Sequence, residues 1–373
     1  MATKPSVTVR FTQPGTSTVV TLTSNVISGC SWSWGRQYVT DSFQGNTCQV
    51  FGIKPGNVTT FPELGAAISV TVTDASGAGQ TAFFNGFCSN VEIQYGIIAA
   101  LDTFTISLES PLSRLGRQTA TLTTTAASSI TSAITSLDAL TPLGVEYNAF
   151  PFYSTTSAQT IEQTITDHIN LLQRGEQCYV IETGNETVPE ENSTAVTFIS
   201  NKTPKTLNRW TISDTGTTTS TTIRYEQINF QSMADNYSTK VIVNAVGFAQ
   251  QDAGTGTYVY ELDTINGSAS QADDIAGYVK TMLDLNQRNP TSVRFNGAAN
   301  NSPIQAARMG TNYDGVNITF RGTTYYALIE GCSFNANASN WDCELYLSAL
   351  AYQPWFQLDS TQLGVLDTNK LGL

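Results

Sequence analysis

Gly86-Phe87-Cys88-Ser89, followed by Asp102 and Ile106-Ser107-Leu108, returns late in the chain as Gly331-Cys332-Ser333, followed by Asp342 and Leu345-Tyr346-Leu347. In both stretches an apolar run ends in Gly and Cys, a polar hairpin follows, and an Asp opens a closing strand. Thr47-Cys-Gln-Val-Phe-Gly52 and Val241-Ile-Val-Asn-Ala-Val-Gly247 extend the likeness upstream. A true repeat means that the chain holds two copies of one β-barrel with an α+β insert between them. The alternative is chance likeness between β-hairpins.

Around the first copy, residues 1 to 118 read as a β domain. Ile68-Ser-Val-Thr-Val72 alternates strictly, and Val7–Phe11, Thr18–Leu22, Thr81–Asn85, Val91–Tyr95 and Thr103–Leu108 behave alike, with Gly-rich turns between them. Residues 119 to 205 read as a small α+β insert. Ile130, Ile134 and Leu137 keep helical spacing. A second helix is expected over 158–174, with Ile161, Ile165, Ile169 and Leu172 on one face and Gly175 at the cap. Two strands follow, Gln177–Glu182 and Thr194–Ile199, around an acidic loop at 184–194. Residues 206 to 355 turn β again, with strands at Arg224–Phe230, Lys240–Asn244, Asn317–Phe320, Tyr325–Ile329 and Glu344–Leu347. One helix within this span is capped by Ser270 and carries a buried stripe of Ile275, Val279, Met282 and Leu283. The fold class is therefore mainly β with an α+β insert.

Residues 356 to 373 form a tail that holds one motif twice: Leu358-Asp359-Ser-Thr-Gln-Leu363-Gly, then Leu366-Asp367-Thr-Asn-Lys-Leu371-Gly. So short an apolar segment has no core of its own. Either it folds back on its own domain, or Leu358, Asp359, Leu363, Leu366, Asp367 and Leu371 dock on a neighbouring subunit. The aromatics of the preceding stretch, Trp341, Trp355 and Phe356, are core residues or interface residues on the same reasoning.

Composition narrows the function. Of 373 residues, 40% are hydrophobic and only 13% are charged, about half the usual share. The net charge of −12 argues against ordinary duplex binding, which needs cations facing phosphates, but it suits a wall past which DNA slides. No apolar run reaches a bilayer's width and the N-terminus has no signal core, so cytoplasmic synthesis is expected. The six cysteines form no C-x-x-C pair and there is a single histidine, so no zinc site is expected. They read as small buried thiols, with Cys332 and Cys343 placed to pair as neighbouring strands.

Catalytic chemistry has little to stand on. His168 sits one position off its helix stripe and reads as solvated or half-buried. No nucleophile elbow, phosphate loop or H-E-x-x-H motif occurs. Glu190-Glu191 are adjacent in a loop and cannot flank a glycosidic bond. Asp273-Asp274 opens a helix, where its charge meets the dipole favourably. Asp314-Gly315 reads as a turn. No cofactor, metal or catalytic residue is expected.

Three stretches together resemble the minor tail proteins of long-tailed, siphovirus-type bacteriophages, of the baseplate hub kind. They are Trp34-Gly35-Arg36-Gln37 with Phe43-Gln44, the segment from Phe84-Asn-Gly86 through Asp102 to Ser-Arg-Leu-Gly116, and the C-terminal tail. The resemblance implies two barrels related to the tail-tube fold in each subunit and a homotrimer presenting six barrels as a ring. Its partners would be a tail tube or distal tail protein above and a tip fibre or other minor tail proteins below. Phage DNA would leave through the channel. A receptor- or glycan-binding tip protein, using Trp32, Trp34 and Trp355 to stack on sugars, is the alternative. A glycoside hydrolase on a β scaffold is a third, for which the chain offers no carboxylate pair.

Overall fold

Alternation of apolar with hydroxyl-bearing residues builds most of the molecule. In β1 (Ser6–Thr12), Val7, Val9 and Phe11 turn inward and are buried. The same period marks β3 (Ile27–Gly35), β4 (Thr47–Ile53) and β7 (Thr103–Glu109), while β2 (Val19–Leu22), β5 (Ala67–Thr73) and β6 (Gln80–Gln94) complete the set, β5 buried on both faces from Ala67 to Val72. The computed structural model describes residues 6–38, 40–73, 80–141, 143–147, 155–183, 195–199, 210–216, 222–231, 238–287, 289–296, 315–337 and 341–349. The first seven strands lie in the order β3-β4-β7-β6-β5-β1-β2, antiparallel throughout.

A middle region follows: α1 (Pro111–Leu115), β8 (Thr119–Thr124), α2 (Ile130–Asp138), β9 (Gly144–Tyr147), β10 (Gln159–Thr164), α3 (Ile165–Glu176), β11 (Tyr179–Thr183) and β12 (Ala195–Ile199). It holds a β10-β8 pair and a β11-β12-β9 sheet. The helix expected over 158–174 is half strand. Ile161 lies in β10 opposite Leu122, and only Ile165, Ile169 and Leu172 share the buried helix face. The break falls at Thr164, whose hydroxyl accepts from Asp167 N and so caps α3. The C-terminal cap is Gln177 at φ 50°, not Gly175, which is helical.

The last part contains β13 (Trp210–Ser213), β14 (Thr222–Arg224), β15 (Gln227–Asn229), β16 (Lys240–Ala245), β17 (Gln251–Gly254), β18 (Val259–Thr264), α4 (Ala269–Asn286), β19 (Ser292–Asn296), β20 (Gly315–Phe320), β21 (Thr323–Asn337) and β22 (Trp341–Ala349). Strands β16 to β18 form their own sheet, on which α4 packs around a separate small core of Val241, Val243, Leu262, Ala272, Ala276 and Leu283. The cap of α4 is Ser268, whose hydroxyl accepts from Gln271 N, so the helix starts before the expected Ser270.

The other strands run β15-β19-β22-β21-β20-β13-β14. That is the first unit's order, strand for strand. One difference stands out: β13 is parallel to β20 and β14, whereas β1 is antiparallel to β5 and β2. Facing the strand that follows it, each of the long strands β6 and β21 carries a bulge, which skips Ser89 in one and Glu330 in the other; β6 has a second, at Phe83, facing β5. Aligning the bulges also superimposes the pairs Ala67↔Phe87 and Gly315↔Leu328. On this alignment Ile106-Ser107-Leu108 matches Leu345-Tyr346-Leu347, as the sequence suggests. The Gly-Cys part of the motif does not match: Cys88 corresponds to Ile329, and Cys332 to Val91. The counterpart of β4 is β19, so Val241–Gly247 is not part of the repeat.

The two runs join. β3 pairs with the C-terminal half of β21, from Gly331↔Gly35 to Asn337↔Gly29, giving one 14-stranded sheet. A single apolar core runs through both units and the middle region.

Candidate assembly interface

The junction between the units holds a buried polar network. The bulge places Glu330 inside the protein, fully buried. Its carboxylate accepts from Arg36 Nε at 2.8 Å, from Tyr179 Oη at 3.2 Å and from Ser348 Oγ. Arg36 follows β3, Tyr179 belongs to β11 and Ser348 to β22, so one carboxylate ties together the first unit, the middle region and the second unit. A buried charge is tolerated when paired and hydrogen-bonded in this way. The Arg36 guanidinium also lies 4.6 Å from the Phe43 ring centroid.

Close backbone approach makes the junction possible. A side chain at Gly331 would stand 2.7 Å from the carbonyl oxygens of Trp34 and Arg36. Gly35 has φ +74°, and a side chain there would meet Glu330 O.

The loop after β3 is held from three further sides. Asn170 of α3 accepts from Phe43 N at 3.0 Å and donates to Phe43 O at 3.1 Å, acting like the edge of a strand. Glu182 of β11 accepts from Asn46 N at 3.0 Å and from Leu112 N at 2.7 Å. Burial holds its carboxyl above the ordinary carboxylate range, opposed by those hydrogen bonds and one from Ser110. Tyr260 of β18 donates to Thr40 O at 3.2 Å. Trp34-Gly35-Arg36 and Phe43-Gln44 thus sit where every part of the molecule meets.

The expected site residues fall as follows. Trp341 is 2% exposed and packs edge-on to Phe334, so it is a core residue. Trp355, Phe356 and the tail residues Leu358, Asp359, Leu363, Leu366, Asp367 and Leu371 lie outside the described residues, as does the acidic loop with Glu190-Glu191. Trp32 and Trp34 are buried at 3% and 6% exposure on the face of β3 that packs into the shared core, which corrects their reading as sugar-stacking surface residues. His168 is fully buried rather than solvated. Gln163 Nε2 donates to its Nδ1 at 3.1 Å, so its Nε2–H donates to Ala120 O at 2.9 Å, and both ring nitrogens are used structurally.

All six cysteines are buried and unbonded. Burial pushes the Cys30 thiol up to about 12 and Cys88 to about 11. Cys332 and Cys343 are neighbours at 3.5 Å between sulfurs, without a disulfide. A cleft of about 730 Å³ beside α3 is lined by groups such as Gln44, Gln163, Asp167, Arg174, Asn244 and Asp263. Among the described residues no His, Cys, Asp or Glu cluster could hold a metal, and no helix is long and apolar enough to cross a membrane.

Glu330 escaped the sequence reading. Its one signal was a lone carboxylate in the apolar run Leu328-Ile329-Glu330-Gly331-Cys332.

No family model and no curated protein matches the sequence. Solved structures do. The tail protein from Neisseria meningitidis MC58 aligns with a TM-score of 0.62 at 11% identity, over 92% of this chain and 96% of that one. The 43 kDa tail protein of prophage MuSo2 from Shewanella oneidensis aligns with a TM-score of 0.55 at 10% identity, over 93% and 98%. A chain of the lidded Francisella PdpA-VgrG complex aligns at 0.53 and 10% identity, over 93% of this chain and 53% of that one. The chain therefore has the fold of these tail proteins along nearly its whole length.

Proposed function

We propose that this chain is a structural hub of a phage-type tail, a virion protein at the distal tail end that assembles as a homotrimer. The observation that carries the reading is the internal repeat. Two units with one strand order, joined edge to edge, let three chains present six similar units. Such a ring meets a six-fold tail tube above and three-fold tip proteins below without a new fold. DNA would pass through its lumen without specific binding, and part of the acidic excess would face that channel.

The tail motif at 358–373 is the docking segment in this reading. Deleting it leaves the two units folded but weakens assembly with a neighbour. A truncated chain that unfolds would show the tail to be core. The main test is light scattering on the purified chain, with negative-stain images of the same sample. A three-subunit ring supports the hub, and a strict monomer that persists in assembled particles overturns it.

A further inference from the structure

The repeat predicts its own missing contact. In the first unit the outer edge of β3 is covered by β21. In the second unit the matching strand is β15, and among the described residues only β19 pairs with it. Conversely, β21 gives β3 the edge beyond its bulge, while the matching edge of β6, residues 90–94 on the side away from β7, has no described partner strand. Among the described residues the sheet therefore has two complementary open edges, each a copy of half of a contact already formed inside the chain.

Bulge alignment converts this into a register. The internal pairs Ser333↔Ser33, Phe334↔Trp32, Asn335↔Ser31 and Ala336↔Cys30 map onto Glu92↔Gln231, Ile93↔Phe230, Gln94↔Asn229 and Tyr95↔Ile228. Exposure agrees with the mapping. Trp32 and Ala336 are 3% and 1% exposed, whereas their counterparts Phe230 and Tyr95 are 44% and 77% exposed. Phe230 keeps ring contacts to Phe320 and Tyr325 at 5.4 Å, and Ile93 and Ile228 stay partly buried against the core, while the outer faces of Phe230 and Tyr95 are open. Beyond Tyr95 the exposed surface stays apolar, with Ile97 at 99% and Leu101 at 61%.

We infer that the β15 edge of one subunit pairs with the β6 edge of a second copy of this chain, in the register given above. The contact is heterologous, so repeating it closes a ring or runs on as a filament. It removes from solvent two rows of unpaired backbone groups that would otherwise invite aggregation. This inference rests on the proposed ring and names the surface that forms it.

The test is cysteine cross-linking of the full chain carrying both Gln94→Cys and Asn229→Cys, with a short bismaleimide, followed by denaturing gel and by light scattering before treatment. The native cysteines are buried. A decoy pairs Gln94→Cys with Thr21→Cys on the open edge of β2. Inter-subunit products from the first variant and none from the decoy are expected. A trimer that cross-links in neither, or equally in both, overturns this register while leaving the hub standing. A monomer at every concentration overturns the inference and the self-assembled ring together. Phe230→Asp, an exposed change, should leave the far-ultraviolet circular dichroism unchanged and lower the assembled fraction at least tenfold. An unchanged assembled fraction overturns the pairing.

Discussion

The two β units share a strand order and differ where each meets something else. At the bulge of β6 stands Ser89, a half-exposed residue whose hydroxyl donates to Ser107 O at 2.9 Å. At the bulge of β21 stands Glu330, buried in a four-residue network. Next to the bulge the first unit has Asn90 and the second Gly331, and within the chain it is Gly331 whose backbone lies against β3. The difference teaches that a seven-stranded framework is set by alternation alone, while a few positions decide whether it ends in solvent or in a neighbour.

Replacing the bulge residues separates the units most strongly. Glu330→Ala takes from the buried Arg36 its carboxylate partner and should cost about 3–5 kcal/mol in urea denaturation. Ser89→Ala removes one neutral hydrogen bond and should cost about 1 kcal/mol. Equal costs would mean that the Glu330 network adds nothing to the junction. The covered and bare aromatics come next. Trp32→Ala empties a core position and should cost about 3–5 kcal/mol, whereas Phe230→Ala should cost the isolated subunit under about 1 kcal/mol. A large loss at Phe230 in a verified monomer would make it a core residue.

Backbone approach gives a smaller contrast. Gly331→Ala forces atoms against two carbonyls and should cost about 1–3 kcal/mol, while the exposed Asn90→Ala stays within about 0.5 kcal/mol. Parity between the two would show that the strands separate easily.

The smallest effect is in pH. The Glu182 carboxyl is held above its unfolded value, so its contribution to stability is full below about pH 4.3 and is lost as pH rises through the folded value. Between pH 4.5 and 7 the urea midpoint of the wild type should therefore fall more than that of Glu182→Gln. Parallel profiles would show that Glu182 does not titrate in this range.

Much of this was legible in the chain. Val7–Phe11, Ile68–Val72 and Thr103–Leu108 carry their strand period in their own side chains, and Ile130, Ile134 and Leu137 carry their helix period. β3 was not read as a strand although Cys30-Ser-Trp32-Ser-Trp34 alternates, and alternation shows that one face is covered without showing by what. The Trp pair was therefore open to a surface reading until its face of β3 was seen packed into the core. The split of 158–174 into β10 and α3 was hidden because Ile161 fits both periods, and pairing with β8 decides between them.

By itself the sequence determined the mainly β class, most strand positions, the acidic surface and the repeated tail motif, because these follow from residues close together in the chain. The tertiary structure alone decided the alignment of the two units, the reversal of β13, the joining of β3 to β21 and the burial of Glu330 against Arg36. Each of these depends on a contact between residues far apart in sequence, whose register is fixed by bulges, glycines and packing that no local pattern encodes.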